Sequence, residues 1–266
     1  MTDTGTDLPV RTPLVVAIDG PSGSGKSSVS KAVARSLGLA YLDTGAMYRA
    51  ATLWVTQQGL ALDDAAAVAA AVREMPLVMG VDPTEPGVFL AGHDVSEAIR
   101  TTEVSTSVSA VSANLEVRAE LADRQRTAID AERHGRGFSG GRGIVAEGRD
   151  ITTVIAPDAD VRILLTASEE SRLRRRSLEL HGSADASAVD ATRDQIVRRD
   201  AADSAVTQFT VAASGVVTLD SSDLDFDQTV AAALKIVSIA ADRAPEHGDG
   251  ERDGAPSLDR RTPAGS

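Results

Sequence analysis

Gly20, Gly25, Lys26 and Ser27 satisfy the spacing G-x-x-x-x-G-K-[ST] within "VAIDGPSGSGKSSVSKAVA", residues 16–34. Those residue types suit one task. Glycines let backbone N–H groups turn inward around phosphate oxygens. The first turn of a following helix adds partial positive charge. A lysine at this place reaches β- and γ-phosphates, and the hydroxyl after it can ligate Mg2+. Of the 27 Lys and Arg residues in the chain only three are lysines, Lys26, Lys31 and Lys235. Generic positive charge is supplied by arginine, so Lys26 reads as selected for its position. The expected phosphate cradle is Gly20, Pro21, Ser22, Gly23, Ser24, Gly25, Lys26, Ser27 and Ser28, with Ser27 on the metal and a nucleoside triphosphate with Mg2+ as the bound species.

Two further clusters carry candidate chemistry. "YLDTGAMYRAA" (41–51) puts Asp43 and Thr44 ahead of a helix, with Tyr48 and Arg49 in its first turns. "VAEGRDITT" (145–153) puts Glu147, Arg149 and Asp150 just past an apolar run. Two arginines converging on one place suit an anionic acceptor held by bidentate contacts. Asp150 offers an acceptor for an exocyclic amine. Arg49 alone also fits a solvated helix charge, and Arg149 with Asp150 also fits an ion pair of the two with each other. A GTPase needs N-K-x-D to read its base, and the chain has none. "FSGGR" (138–142) superficially resembles a transporter-ATPase signature, but an apolar strand begins almost at once at Gly143, so it reads as a flexible turn. A small-molecule kinase remains. An ATP-switched binding protein shares the same loop.

These residues need strand ends and helix starts to position them, and the pattern supplies both. Apolar runs at 14–19, 143–148, 161–167 and 215–220 read as buried strands. Helical spacing covers 26–38, closed by Gly38, then 45–59 and 63–75, the last stopped by Pro76. "PLVMGVDPTEPGVFLAGHDV" (76–95) breaks into short apolar pieces separated by Asp-Pro, Glu-Pro-Gly and Ala-Gly, the mark of a small antiparallel sheet. One long helix is expected over about 104–133. Arginine-rich helices follow at 168–180 and 190–203, and 226–240 closes the pattern, capped by Asp225 or Asp227. Strands alternating with helices imply an α/β fold with a mostly parallel sheet covered on both faces. Such a sheet binds ligands beyond the carboxyl ends of its strands.

Composition bounds the rest. A chain of 266 residues with 42% hydrophobic content fits one medium domain with inserts. Without cysteine, disulfides and thiolate metal sites are excluded. A net charge of −12 argues against broad nucleic-acid binding. No apolar run reaches membrane-spanning length, and residues 1–13 lack a signal-peptide pattern, so a cytoplasmic protein is expected. Residues 1–12 read as a loose arm, 13–242 as the folded domain, and 243–266, rich in Pro, Gly and charge, as a disordered tail. With no large exposed apolar helix face, a monomer is expected.

"IDGPSGSGKS", "LDTGAMYR", "IRTTEVS", "EGRD" and "RRDAADS" together resemble the bacterial cytidylate kinases, from about Val15 to about Val237. The resemblance implies a P-loop nucleoside-monophosphate-kinase-like three-layer fold. Its central parallel sheet would carry a small antiparallel monophosphate-binding insert (about 73–105) and a short lid (about 170–200). It implies phosphoryl transfer from ATP to CMP or dCMP with Mg2+. It assigns Lys26, Arg149 and Arg199 to catalysis, and Arg49 and Arg149 to the CMP phosphate. Thr44 and Tyr48 would stand near the acceptor, Ser109, Arg118 and Asp150 at the cytosine edge, and Asp203 at the ribose hydroxyls. Arg172, Arg175 and Arg176 would clamp ATP from the lid, or else form a solvated helix face. Three positions depart from the family pattern: Val206 replaces an arginine, Glu147 stands where some members have Asp, and Thr152 takes a place often held by glycine. A related kinase for another monophosphate or for shikimate is the nearest alternative.

Overall fold

The sequence builds a five-stranded, wholly parallel sheet in the order β2-β6-β1-β7-β8. The strands are β1 (Leu14–Asp19), β2 (Ala40–Asp43), β6 (Gly143–Gly148), β7 (Val161–Thr166) and β8 (Val217–Asp220). The structure is a computed structural model that describes residues 13–243, apart from 184, 186–188, 190, 191, 194–199, 202, 203, 205, 206 and 208. The expected arm (1–12), most of the expected tail, part of the expected lid, and Arg199, Asp203 and Val206 lie outside the described residues.

Strands β1 and β6 are buried along their whole length because both faces are covered. On one face Val16, Ile18, Tyr41, Val145 and Ile163 pack against α1 (Lys26–Leu37) and α7 (Phe226–Arg243). On the other, Val15, Ala17, Leu42, Ile144 and Ala146 share a core with α2 (Thr44–Gln57), α3 (Ala65–Arg73) and α5 (Leu115–Arg133). With aromatics at 3% of the chain, both layers are mainly aliphatic. Gly38 closes α1 in the left-handed conformation (φ 62°), where a side chain would be strained. Asp225 Oδ1 accepts from Gln228 N at 2.8 Å at the start of α7.

A second, antiparallel sheet joins β3 (Leu77–Met79), β4 (Val88–Leu90) and β5 (His93–Asp94). A 3-10 turn at Ala98–Arg100 leads from it into α4 (Thr102–Ser112). The expected single helix over 104–133 is two helices, α4 and α5. Asn114 divides them: its Oδ1 accepts from Glu116 N (3.0 Å) and Val117 N (3.4 Å), and its amide donates to Ala65 O (2.8 Å). An Asn side chain that caps a helix competes with continuing the one before it. The 138–142 turn is not loose. Buried Glu132 accepts from Phe138 N and Ser139 N, each at 2.8 Å, and Ser139 Oγ accepts from Gly143 N at 3.0 Å.

Candidate active site

Parallel pairing places Asp19 opposite Gly148 and Asp43 opposite Glu147, so the carboxyl ends of β1, β2 and β6 lie side by side. The phosphate loop leaves β1 there and enters α1. Gly23 (φ 76°) and Gly25 (φ 88°) take left-handed conformations that turn the chain. Gly25 is the N-cap of α1 and supplies no side-chain cap, leaving the helix start suited to an anion. Gly20 is pressed against β7: a Cβ there would stand 2.2 Å from Leu165 O. Buried Ser24 Oγ has no hydrogen-bond partner among the described residues.

Glu147 sits at the floor. Its Oε1 accepts from Ser27 Oγ (2.5 Å) and Tyr41 OH (3.1 Å), and Lys26 Nζ lies 4.0 Å from Oε2. Burial and then the Asp43 carboxylate push its carboxyl up to about 7, against the pull of Lys26, Ser27 and Tyr41. Burial raises the Tyr41 phenol well above its ordinary range. Ser27 hydroxyl and Glu147 carboxylate together present hard oxygen donors, the type Mg2+ takes. Among the described residues no three His, Cys, Asp or Glu cluster into an all-protein metal cage. That fits a cation that draws its other ligands from phosphates and water, so the residues present suit Mg2+.

The side chains expected to hold the acceptor face the loop across one cleft of about 450 Å³. Arg49 and Arg149, about a hundred residues apart in the chain, both line it, together with Lys26, Thr44 and Tyr48. Arg49 is no solvated helix charge: it is 8% exposed and donates to Ser105 Oγ (2.7 Å) and Ile99 O (3.2 Å). Nor do Arg149 and Asp150 form the ion pair that their adjacency suggested. Asp150 pairs with Arg118, and Arg149 Nη2 lies 3.2 Å from Asp200 Oδ1. Burial raises the Asp150 carboxyl, and Arg118 opposes the shift. Thr44 Oγ1 donates to Glu147 O at 2.8 Å, tying α2 to β6. Ser109 is half-buried on α4 but is not among the cleft-lining residues, whereas its neighbours Val108 and Ser112 are.

On α6 (Glu169–His181) the arginines grip the loop itself. Arg172 donates to Ser22 O (3.0 Å) and pairs with Asp200; Arg175 donates to Ser24 O (3.2 Å) and Ser221 O (2.6 Å). Arg176 lines the cleft. The solvated-face alternative therefore fails for Arg172 and Arg175.

Several contributors to the site lie inside the quoted motifs, but the motifs assigned them no role. Asp19 is 2% exposed and accepts from Ile151 N (2.9 Å), Thr152 N (2.8 Å) and Thr152 Oγ1 (2.6 Å). It thereby ties the loop bearing Arg149 and Asp150 to the strand that precedes Gly20. Arg100 lines the cleft 3.8 Å from Asp43. Asp200 also accepts from Ser22 N at 3.2 Å.

Comparison with known proteins gives the family of the chain. The cytidylate kinase family model matches residues 16–239. A Streptomyces avermitilis protein named cytidylate kinase is 48% identical over 226 residues, covering 84% of this chain and 92% of that protein. Those of Streptomyces coelicolor and Nocardia farcinica are 49% and 47% identical, covering 86% and 85% of this chain and 94% of each of theirs. The chain belongs to the cytidylate kinase family.

Proposed function

We propose that the chain transfers the γ-phosphoryl group of ATP to CMP and dCMP, giving ADP with CDP or dCDP. The observation that carries this reading is the single cleft shared by the phosphate loop and the two distant arginines, Arg49 and Arg149. An oxygen of the acceptor phosphate, already ionised near neutrality, attacks the γ-phosphorus in line. A new P–O bond forms as the bond to the β–γ bridging oxygen breaks, and ADP leaves. No strong general base is needed. Catalysis is positioning and charge neutralisation. Lys26 meets the charge on the β- and γ-phosphates, Arg149 stands between acceptor and donor, and Arg49 holds the acceptor phosphate. Mg2+ held by Ser27, with Glu147 beside it, would supply further neutralisation of the triphosphate.

Asp150 and Arg118 supply the base preference. A carboxylate accepts from the exocyclic amine of cytosine but repels the carbonyl that uracil carries there. Arg199 and Asp203 take their roles, at the phosphates and at the ribose hydroxyls, from the family resemblance alone. The remaining parts of the reading are a monomer acting in the cytoplasm, with a monophosphate-binding insert and a lid that close to exclude water. No helix among the described residues is long and apolar enough to cross a membrane.

Rates with MgATP and single acceptors test the proposal. CMP and dCMP should far outrun UMP, AMP, GMP and shikimate. A chain that prefers any of the other four is a different kinase, and one that makes no diphosphate is not a kinase of this class.

A further inference from the structure

Phe209 is one of four phenylalanines in the chain and is 1% exposed. It lies two residues beyond Thr207, which lines the cleft. Its ring backs Arg149, whose guanidinium carbon stands 4.3 Å from the ring centroid. The edges of the same guanidinium meet Asp200 Oδ1 at 3.2 Å and, through Nη1, Gly20 O at 3.4 Å. One flat face and two edges of the cation are therefore bounded by protein, and its side chain is 13% exposed.

A guanidinium is planar and weakly hydrated on its faces, and all five of its donors lie in the plane. A ring against the face attracts the cation through its quadrupole without using any donor. Phenylalanine, unlike tyrosine, brings no hydroxyl to compete for those donors. The ring also confines a long side chain that would otherwise lose rotamer freedom when the phosphate arrives. An aliphatic residue of similar volume fills the space but supplies neither the attraction nor the flat seat.

We propose that Phe209 is a positioning residue for Arg149: its buried ring sets the guanidinium plane so that the N–H edge meets the acceptor phosphate. The proposal rests on the assignment of Arg149 to that phosphate. Phe209 itself touches no substrate. Its action passes through Arg149, and a double-mutant cycle isolates such a dependence.

The test uses the full chain as wild type, Phe209→Leu, Arg149→Met and the double variant. Calorimetry gives the CMP dissociation constant, steady-state rates give KM for ATP, and thermal melting checks folding. Phe209→Leu should weaken CMP about five-fold while moving KM for ATP less than about two-fold. In the Arg149→Met background the same change should weaken CMP by less than about two-fold, since no guanidinium remains to be seated. Equal CMP losses in both backgrounds, or equal losses for CMP and ATP, overturn the role of Phe209 and leave the phosphotransferase reading intact. A wild-type protein that makes no CDP overturns both. Should Phe209→Leu not fold, Phe209→Met fills the space with a flexible thioether and carries the same comparison.

Discussion

Thr152→Val tests the tie between the two halves of the cleft. The substitution keeps the shape of a side chain that is 3% exposed and deletes one of the three donors to buried Asp19. A hydrogen bond to a charged group contributes about 1.5–3 kcal/mol. Asp19 retains two backbone donors, at 2.9 and 2.8 Å, so the carboxylate is not orphaned. The loss should therefore fall near the middle of that range, about 2 kcal/mol. In a domain of this size that lowers the melting temperature by about 4–8 °C. Urea unfolding at neutral pH reads the same quantity with an unchanged slope. Thr152 is not among the cleft-lining residues, but Arg149 and Asp150 precede it by three and two positions. KM for CMP should rise a few-fold and KM for ATP much less, while Thr152→Ser, which keeps the hydroxyl, should restore both. A stability loss below about 0.5 kcal/mol with KM for CMP unchanged would refute the argument that this contact holds the acceptor loop.

Other perturbations separate the remaining roles. Lys26→Ala should lower phosphoryl transfer by about two to three orders of magnitude in single-turnover assays, with the melting temperature little changed. Arg118→Met leaves Asp150 buried without its cation, so kcat/KM for CMP should fall by about a hundred-fold, and the CMP-over-UMP ratio should shrink. Burial raises the Asp19 carboxyl above its ordinary 3.8, so the folded chain keeps a proton there that the unfolded chain has already released. The stability from this group is therefore present at lower pH and lost as pH rises through the folded value. Wild type should lose ground to Asp19→Asn in urea midpoint as pH rises above the ordinary carboxylate range; a gain over the same rise would show the shift to have the opposite sign.

The parts of the site legible in the sequence are those that local backbone chemistry dictates. The loop from Gly20 to Ser28 needs glycines at turning points, a lysine and a hydroxyl, and these are visible without any partner segment. Strands β1, β6 and β7 announce themselves as apolar runs because both their faces are covered, and β8 does so through Val217 and Leu219 although only Leu219 of its four residues is buried. Strand β2 does not: Ala40–Asp43 is four residues long, and its extended form comes from pairing with β6. The break between α4 and α5 was missed because no Gly or Pro marks it, although Asn114 is a recognisable cap. Arg49 and Arg149 were found through their motifs, but their real partners, Ser105 and Asp200, lie 56 and 51 residues away along the chain. Phe209 had no signal, and Asp19, although inside "IDGPSGSGKS", showed no role of its own. A buried aspartate that ends a strand and a lone phenylalanine in a polar stretch acquire meaning only when β6 and the cleft are brought against them.

The central claim is that the phosphate loop and the two arginines serve one reaction from opposite sides of one cleft. A crystal structure with CMP and a non-hydrolysable ATP analogue tests it most directly. The account predicts the triphosphate on the amides of Gly20–Ser28, the CMP phosphate within hydrogen-bond reach of Arg49 and Arg149, and the cytosine amine at Asp150. CMP seated elsewhere, with Arg49 and Arg149 turned away from its phosphate, would contradict it.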